Sequence, residues 1–517
     1  MLVFGEKGDL GKFWGRFGVI LASFWVANCH FLPFYIFSEP PCISNKVASY
    51  IFDTYTPTME DTLITFLSSL SPDRIIIMAI KDEASTHLKS TARQHIAKLF
   101  NSKHIGALAF RSMWALVATT GNSTTGLGPR NLGEKISMSP DKKQWSELVD
   151  LQIEVELTGN TIWCPVWGDD NGDDRFVDKR RKFCHNYGGY NSLCRCDRPD
   201  AVRFHPENFT ENHTHNSGLI IMACDRPHTL YNTLRSVLSA YGANPEKIWV
   251  MIDGYVFSKE IQDLASLFGV NCKGFSPRGV KKSRITQHYG SVLRWIFDDD
   301  RDLDFEEVII LEDDLEVSPD FFSYFSQAMY LLKEDPSVWC VSAWNDNSFK
   351  HTSLAADQLY RVEGMPGLGW MLTRKLFKGE LEDKWPEVGD KIAWDNWMRQ
   401  VDQHQKRECL VPDIPRTYHQ ASKGNTLPAH FQDDYFNRKH KGFEDTQHPV
   451  KLKGLERMSA HEYEDDMYKL VSSSLLVDHT KSPCDKDFLK NVQPGQSYVA
   501  YFRMAYDSAT EVYGGGF

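Results

Sequence analysis

The sequence predicts an α/β protein built on a Rossmann-like, mostly parallel sheet, and three observations lead there. Short apolar runs such as LIIMA at 219–223, IWVMI at 248–252 and VIIL at 308–311 alternate with stretches of helical period, the pattern of strands buried on both faces. These runs lead into acidic residues, Asp225, Asp253, and Glu312 to Asp314, at the carboxyl ends where such sheets bind ligands. Composition agrees: of 517 residues 42% are hydrophobic, 13% aromatic and 25% charged, as in a packed globular chain. A net charge of −11 leaves no basic excess, which argues against nucleic-acid binding as the main function.

The elements follow in order. Lys7, Lys12 and Arg16 precede an uncharged stretch over 17–37, and Glu39 follows it. As a helix that stretch would cross about 30 Å of hydrocarbon, so a cytosolic tail over 1–16, a signal-anchor transmembrane helix over 17–37 and a lumenal remainder are expected. A cleaved signal peptide is the rival, against which stand the length of the apolar region and the lack of an A-x-A site. Residues 47–157 read as a small α/β stem domain, with RIIIMAI as a strand and Leu88, Ile96 and Leu99 on the apolar face of a helix. Residues 158–216, rich in Gly, Asp, Asn, Arg and Cys, read as a linker held by disulfides, with the KRRK run at 179–182 as a solvated face. The main α/β domain covers 217–505.

The chain has 11 cysteines. Cys184, Cys194 and Cys196 lie close enough together for a zinc site, but no nearby histidine pair completes the spacing, so disulfides in an oxidising lumen are preferred. Sequons at Asn122, Asn208 and Asn212 lie in polar, turn-rich stretches and are glycosylation candidates. The most informative cluster is LEDDLEVSPDFF. Three adjacent acids at a strand end repel one another, so either a cation or hydrogen-bond donors compensate them or they form a solvated acidic turn. Oxygen ligands suit Mg²⁺ or Mn²⁺, which can bridge a carboxylate to a diphosphate. Ser318 is expected as the N-cap of the next helix and Pro319 as its first residue. No Walker loop or G-x-G-x-x-G accompanies these strands, which counts against an ATPase or a dinucleotide oxidoreductase.

The motifs ACDRPHTL, MIDGY, RITQHYGSVL, VIILEDDLEVSPDFFSYF, WCVSAWNDN, MPGLGWMLTR, KWPEV and WDNWMR, in order from about 217 to 445, together resemble the β-1,2-N-acetylglucosaminyltransferases of glycosyltransferase family 13. FDTYTP, KDEASTHLK, the phrase around Met113 and Trp114, KRRKFCHNYGGYNSLCRC and HTKSPCDKDFL resemble the O-mannose-directed branch of that family, whose stem is of the ILEI type. The resemblance implies a GT-A catalytic domain with Mn²⁺ as cofactor, Asp314 as direct metal ligand, and Glu312 and Asp313 facing ribose and sugar. It makes Asp395 of WDNWMR the general base, its basicity raised between Trp394 and Trp397, and aligns Arg226, Asp253 and His288 with nucleotide-contacting positions. A helix-capping Asp395 among core tryptophans, and a satisfied core His288, are the plainer readings.

The segment after Arg416, through Tyr418, Lys423 and Asn425, is expected to close over the donor, with Trp394, Trp397 and Tyr418 on the acceptor side. Cys340 and Cys409 match a family disulfide; Cys224 lacks its family partner, since Tyr255 stands near that position, and Cys272 is the nearest candidate. The apolar amino-terminal segment reaches 47 almost directly, so an incomplete stem is expected. The function so implied is inverting transfer of GlcNAc from UDP-GlcNAc to the 2-hydroxyl of a mannose on a glycoprotein, O-linked mannose first and the N-glycan mannose arm second. On the same resemblance the stem is expected to bind carbohydrate, and the Golgi membrane is the expected location. A lectin-like or scaffold protein on the same fold is the non-enzyme alternative, against which Asp314 and Asp395 together argue.

Overall fold

The computed structural model describes residues 16–19, 32–38, 46–52, 54, 59–154 with short breaks, 174–254, 258–301, 303–390, 392–420, 435–477 and 493–499 except 494. Strand β1 (Arg16–Val19) is followed by β2 (Leu32–Ser38) and β3 (Lys46–Phe52), then helix α1 (Met59–Ser68), β4 (Arg74–Ala79), α2 (Ser90–Phe100), β5 (Met113–Thr119), β6 (Arg130–Ser137) and β7 (Leu151–Glu154). β1 pairs with β7, while β3, β2, β4, β5 and β6 lie side by side in that order as an antiparallel sheet.

The expected transmembrane helix over 17–37 is not what the described parts of that segment form. LPFYIFS is aromatic and β-branched, Pro33 has no N–H for a helix interior, and β2 instead pairs on both sides, with β3 and β4. Among the described residues no helix is long and apolar enough to cross a membrane. β2 and β3 precede and enter the FDTYTP motif as part of the sheet, so the sheet of the amino-terminal domain begins before residue 47. α2 buries Ala92, Ile96 and Phe100, beside Leu88, against that sheet.

The linker is more ordered than its composition suggested. Helix α3 (Asp174–Asn186) carries the KRRK run, and Arg180, expected in solvent, is buried and donates to the Asp200 carbonyl at 2.9 Å. A disulfide joins Cys184 to Cys194 in the short helix α4 (Asn191–Cys194), and Cys196 is disulfide-bonded as well, so zinc is not what holds these cysteines.

The main sheet is built from β8 (Gly218–Ala223), β9 (Ile248–Asp253), β10 (Asn271–Phe275), β11 (Glu307–Glu312), β13 (Val338–Ser342), β14 (Leu359–Val362), β15 (Trp370–Thr373) and β16 (Glu408–Pro412), in the order β10-β9-β8-β11-β15-β13-β16-β14. The first four are mutually parallel, β13 and β16 run in the same direction, and only β15 and β14 run against their neighbours, so the sheet is mixed but mostly parallel, as expected. Between β12 (Leu315–Val317) and β17 (Thr417–His419) a small antiparallel ribbon stands beyond the end of β11. Helices α5 (Pro227–Ser239), α6 (Ser258–Phe268), α7 (Lys281–Ile296) and α8 (Phe321–Glu334) connect the strands. α8 starts later than expected, with Asp320 at the N-cap; Ser318 donates to the Asp320 carboxylate at 2.8 Å, and Arg416 engages that carboxylate at 3.0 Å.

Cys340 and Cys409 are bonded between the paired strands β13 and β16, as the family resemblance implied. Cys224 and Cys272 are free, against the expected pairing. β9 lies between their strands, and Cys272 is level with Val250 and through it with Ile221, three residues before Cys224. Two strand spacings are about 9.5 Å, beyond the reach of a disulfide.

Stem and main domain share one buried apolar cluster, running from Phe52 and Ile76 to Leu230 and Leu311. At their joint Arg74 of β4 meets Glu260 of α6 at 2.7 Å, with side chains 2% and 1% exposed. Tyr190 donates to the same carboxylate at 2.8 Å, and Tyr187 to Asp263 at 2.7 Å. Removing one partner of such a pair leaves a bare buried charge, at a cost of about 3–5 kcal/mol. Arg74→Ala should therefore lower the unfolding temperature markedly in calorimetry, and the double replacement of Arg74 and Glu260 by Met should recover most of the loss.

Candidate active site

Strand β8 leads into Cys224, Asp225 and Arg226 just before α5, and β11 runs into Asp313 and Asp314. β8 and β11 are adjacent parallel strands, yet β8 is followed in sequence by β9 on its other side. The crevice at their carboxyl ends is therefore the topological switch point of the parallel half, where such sheets bind ligands. The Arg226 guanidinium spans the two acids, one Nη to Asp313 Oδ1 and the other to Asp314 Oδ2, each at 2.5 Å. Asp313 is locked further: its Oδ2 accepts from the Cys224 N–H at 3.3 Å, and its backbone carbonyl accepts from the Thr233 hydroxyl at 3.0 Å.

The two acids divide the burden of burial. Desolvation raises the Asp313 carboxyl, which even with Arg226 beside it is pushed up to about 7. Burial opposes the charge on Asp314 as well, but Arg226 and then His419 outweigh it and hold that carboxyl well below the usual carboxylate range. His419, the last residue of β17, places Nε2 3.3 Å from Asp314 Oδ2. Asp314 Oδ1 is buried and has no hydrogen-bond partner. A bare oxygen on an ionised carboxylate at the switch point fits a cation. Among the described residues no group of three or more His, Cys, Asp or Glu side chains is arranged to hold one unaided.

Glu312 faces the other side of the strand and accepts from the Tyr289 hydroxyl of α7 at 2.8 Å. Burial above all pushes that phenol well above its ordinary value, and the charges of Glu312, Asp314 and Asp395 add to it. Asp395 is thus within electrostatic reach of the same tyrosine. Its local setting differs from the expected one. Trp394 and Trp397 are buried, Trp394 stacked on Tyr289 at 4.2 Å and Trp397 edge-on to Trp385 at 5.1 Å, so they turn into the core rather than enclose the carboxylate. In a helix the residue after Trp394 points about 100° away from it. Asp395 is about a third exposed and bonds Arg399 at 2.8 Å, one turn on; Arg399 is held in turn by the Met365 carbonyl at 3.0 Å.

Asp253, at the end of β9, takes a two-pronged bond from Arg284 at 2.8 and 2.5 Å. Gly254 follows, with its N–H 2.7 Å from the Phe275 carbonyl, where a Cβ would come within 2.6 Å of that oxygen, so the turn beside Asp253 admits only glycine. His288 is buried against Phe275 with Nε2 unpartnered, and burial, then Arg284, push its imidazole down to about 3. Tyr418 lies on the opposite face of the ribbon from His419, its hydroxyl 3.3 Å from Asn437 and Lys441 over its ring. Lys423, Asn425 and the sequon at Asn122 lie outside the described residues. Asn208 is exposed, whereas Asn212 donates to Asn208 and to the Gly242 carbonyl.

The structure therefore brings Arg226, Asp313, Asp314 and Glu312 into one crevice with Asp395 nearby, and leaves Trp394, Trp397 and Tyr418 out of it. It adds His419 and Tyr289, which sequence reasoning passed over; the period of two around Tyr418 was the one signal that could have pointed to His419.

Residues 206–482 match the family described as GNT-I family, and residues 26–122 match the one described as Interleukin-like EMT inducer. With more than half of its 517 residues matched, the chain belongs to the GNT-I family. An alpha-1,3-mannosyl-glycoprotein 2-beta-N-acetylglucosaminyltransferase of Arabidopsis thaliana is 33% identical over 226 residues, 42% of this chain and 49% of that protein. The cell migration-inducing and hyaluronan-binding protein of Mus musculus is 36% identical over 84 residues, 16% of this chain and 6% of its own length. The chain thus spans about half of the first relative and a small part of the second. Among solved structures, a mannosyltransferase of Pyrobaculum calidifontis in complex with GDP-Man and Mn²⁺ is similar at TM-score 0.27 and 12% identity, over 42% of this chain and 61% of that one. Glucosyl-3-phosphoglycerate synthase of Mycobacterium tuberculosis, with Mn²⁺ and UDP-glucose, gives 0.26 and 10%, over 42% and 79%. Scores this low carry no argument about this chain.

Arg226 makes the acid pair tolerable, so Arg226→Ala should cost about 3 kcal/mol, less what Asp313 recovers by taking up a proton. The expected readout is a lowered calorimetric unfolding temperature that Asp313→Asn partly restores in the Arg226→Ala background.

Proposed function

We propose that the protein is an inverting glycosyltransferase that moves GlcNAc from UDP-GlcNAc to the 2-hydroxyl of a mannose on a glycoprotein. The observation that carries this reading is the pairing, in a chain of the GNT-I family, of a dry, half-partnered Asp314 at the switch point with the more open carboxylate of Asp395 nearby. Asp314 would hold Mn²⁺, whose charge there neutralises the diphosphate leaving group. Arg226 keeps Asp314 ionised and oriented, Asp253 with Arg284 presents a polar edge to the nucleoside, and Tyr289 fixes Glu312 beside the sugar. Asp395 accepts the proton of the attacking hydroxyl; Arg399 engages its Oδ2, so Oδ1 is the oxygen to take that proton.

O-linked mannose is the acceptor we favour, because the ILEI-type stem packed on the catalytic domain matches the O-mannose-directed branch. The N-glycan mannose arm is the second reading, supported by the name of the Arabidopsis relative. The stem is proposed to bind carbohydrate, in keeping with its resemblance and with the hyaluronan-binding relative. Disulfides at Cys184–Cys194 and Cys340–Cys409 support an oxidising lumen, for this activity that of the Golgi.

A radiolabel transfer assay with an O-mannosyl peptide and a high-mannose N-glycan tests the acceptor, and transfer to neither would leave the lectin-like or scaffold reading. Asp395→Asn should lower the rate by about 10² to 10⁴, roughly 3–5.5 kcal/mol of barrier, while calorimetric UDP-GlcNAc binding with Mn²⁺ stays intact. Asp314→Ala should lose both. If Asp395→Asn weakens donor binding as much as Asp314→Ala does, Asp395 is not the base.

A further inference from the structure

We propose that His419 is a second protein ligand of the donor's divalent cation, sharing it with Asp314. The proposal rests on the reading above that such a cation takes part in the reaction. The imidazole comes from a different part of the chain than the acid cluster, and the ribbon sets its position: Leu315, next to Asp314, is registered with His419, and the Gln420 N–H binds the Asp314 carbonyl at 2.9 Å. Phe436 stacks on the ring at 4.1 Å and 13°, which fixes the plane in which Nε2 points. That nitrogen lies 3.3 Å from Asp314 Oδ2, and the two side chains are only 9% and 5% exposed.

Two ligands at right angles on an octahedral ion with bonds near 2.1 Å lie about 3 Å apart, and the imidazole, 3.3 Å from one oxygen of the Asp314 carboxylate, is within reach of an ion held on the other. A hydrogen bond alone accounts less well for the arrangement. Oδ2 already has the Arg226 guanidinium, while Oδ1, equally dry, has nothing. Were His419 present only to satisfy the carboxylate, the bare oxygen would be the one in need. With no third His, Cys, Asp or Glu among the described residues to complete a site, the remaining ligands would be oxygens of the donor diphosphate and water. A site of this kind holds its metal well only with nucleotide present. A nitrogen donor also favours first-row transition ions over Mg²⁺, which prefers oxygen.

The test uses the full chain with Mn²⁺ and UDP, read by pulsed electron paramagnetic resonance. The unsubstituted protein should show coupling of the Mn²⁺ electron spin to an imidazole nitrogen, altered by isotopic labelling of histidine nitrogen and absent in His419→Gln. By calorimetry His419→Gln should weaken binding of Mn²⁺ with UDP by about 10-fold or more, and binding of Mg²⁺ with UDP by less. Intact Mn²⁺ and UDP binding without nitrogen coupling in the unsubstituted chain would overturn the ligand role and leave the transferase reading standing. Equal losses for Mn²⁺ and Mg²⁺ in His419→Gln would overturn it too, reducing His419 to a residue that positions Asp314. Failure of the unsubstituted chain to bind Mn²⁺ with UDP would remove both.

Discussion

The bridge from Arg226 to Asp313 and Asp314 is the constraint around which the catalytic half is arranged. Two neighbouring carboxylates with side chains 1% and 5% exposed cannot both stay ionised without a cation or donors aimed at them. Arg226 reaches both only because β8 and β11 are adjacent and parallel, so that their carboxyl ends open at the same level. The fork of the guanidinium then imposes an order: one acid is set toward protonation by burial, the other is kept as an anion with an oxygen to spare.

The surrounding packing keeps that order in place. Tyr289 uses one face of its ring against Trp394 and its hydroxyl for Glu312, so the apolar layer beneath the sheet and the polar crevice above it meet in one side chain. On the far side, Thr417 of the ribbon meets a tight approach at Gly369, whose φ of +86° and missing Cβ let the Thr417 methyl sit where a side chain would collide at 2.6 Å. The ribbon is thereby held against β15 and β11.

Much of this was legible in the sequence and some was not, for physical reasons. The strands ending in Asp225, Asp253 and Glu312 were readable because a strand buried on both faces leaves an unbroken apolar run. The antiparallel entries of β14 and β15 were not, since an apolar run such as WMLT carries no mark of its direction. The segment at 17–37 read as a helix because hydropathy measures transfer, not shape, and its described part β2 pairs as a strand instead. KRRK was read correctly at Lys179, Arg181 and Lys182, which are exposed, but Arg180 is buried because a carbonyl from Asp200, twenty residues away, meets it, a contact no local pattern encodes. Asp395 was found by motif, but its bond to Arg399 was visible as helical spacing and was overlooked.

The bond between Cys340 and Cys409 joins residues at a sequence separation of 69, and within that span lie β14, β15 and the helix bearing Asp395, while Arg226, Asp313 and Asp314 lie outside it. The domain is therefore two covalent territories, one carrying the bridge from Arg226 to Asp313 and Asp314 and the other carrying Asp395. A protease that cut the exposed stretch around Leu354 would leave two polypeptides still tied together, each strand in its place in the sheet. Such a tether lets a nicked molecule remain one object.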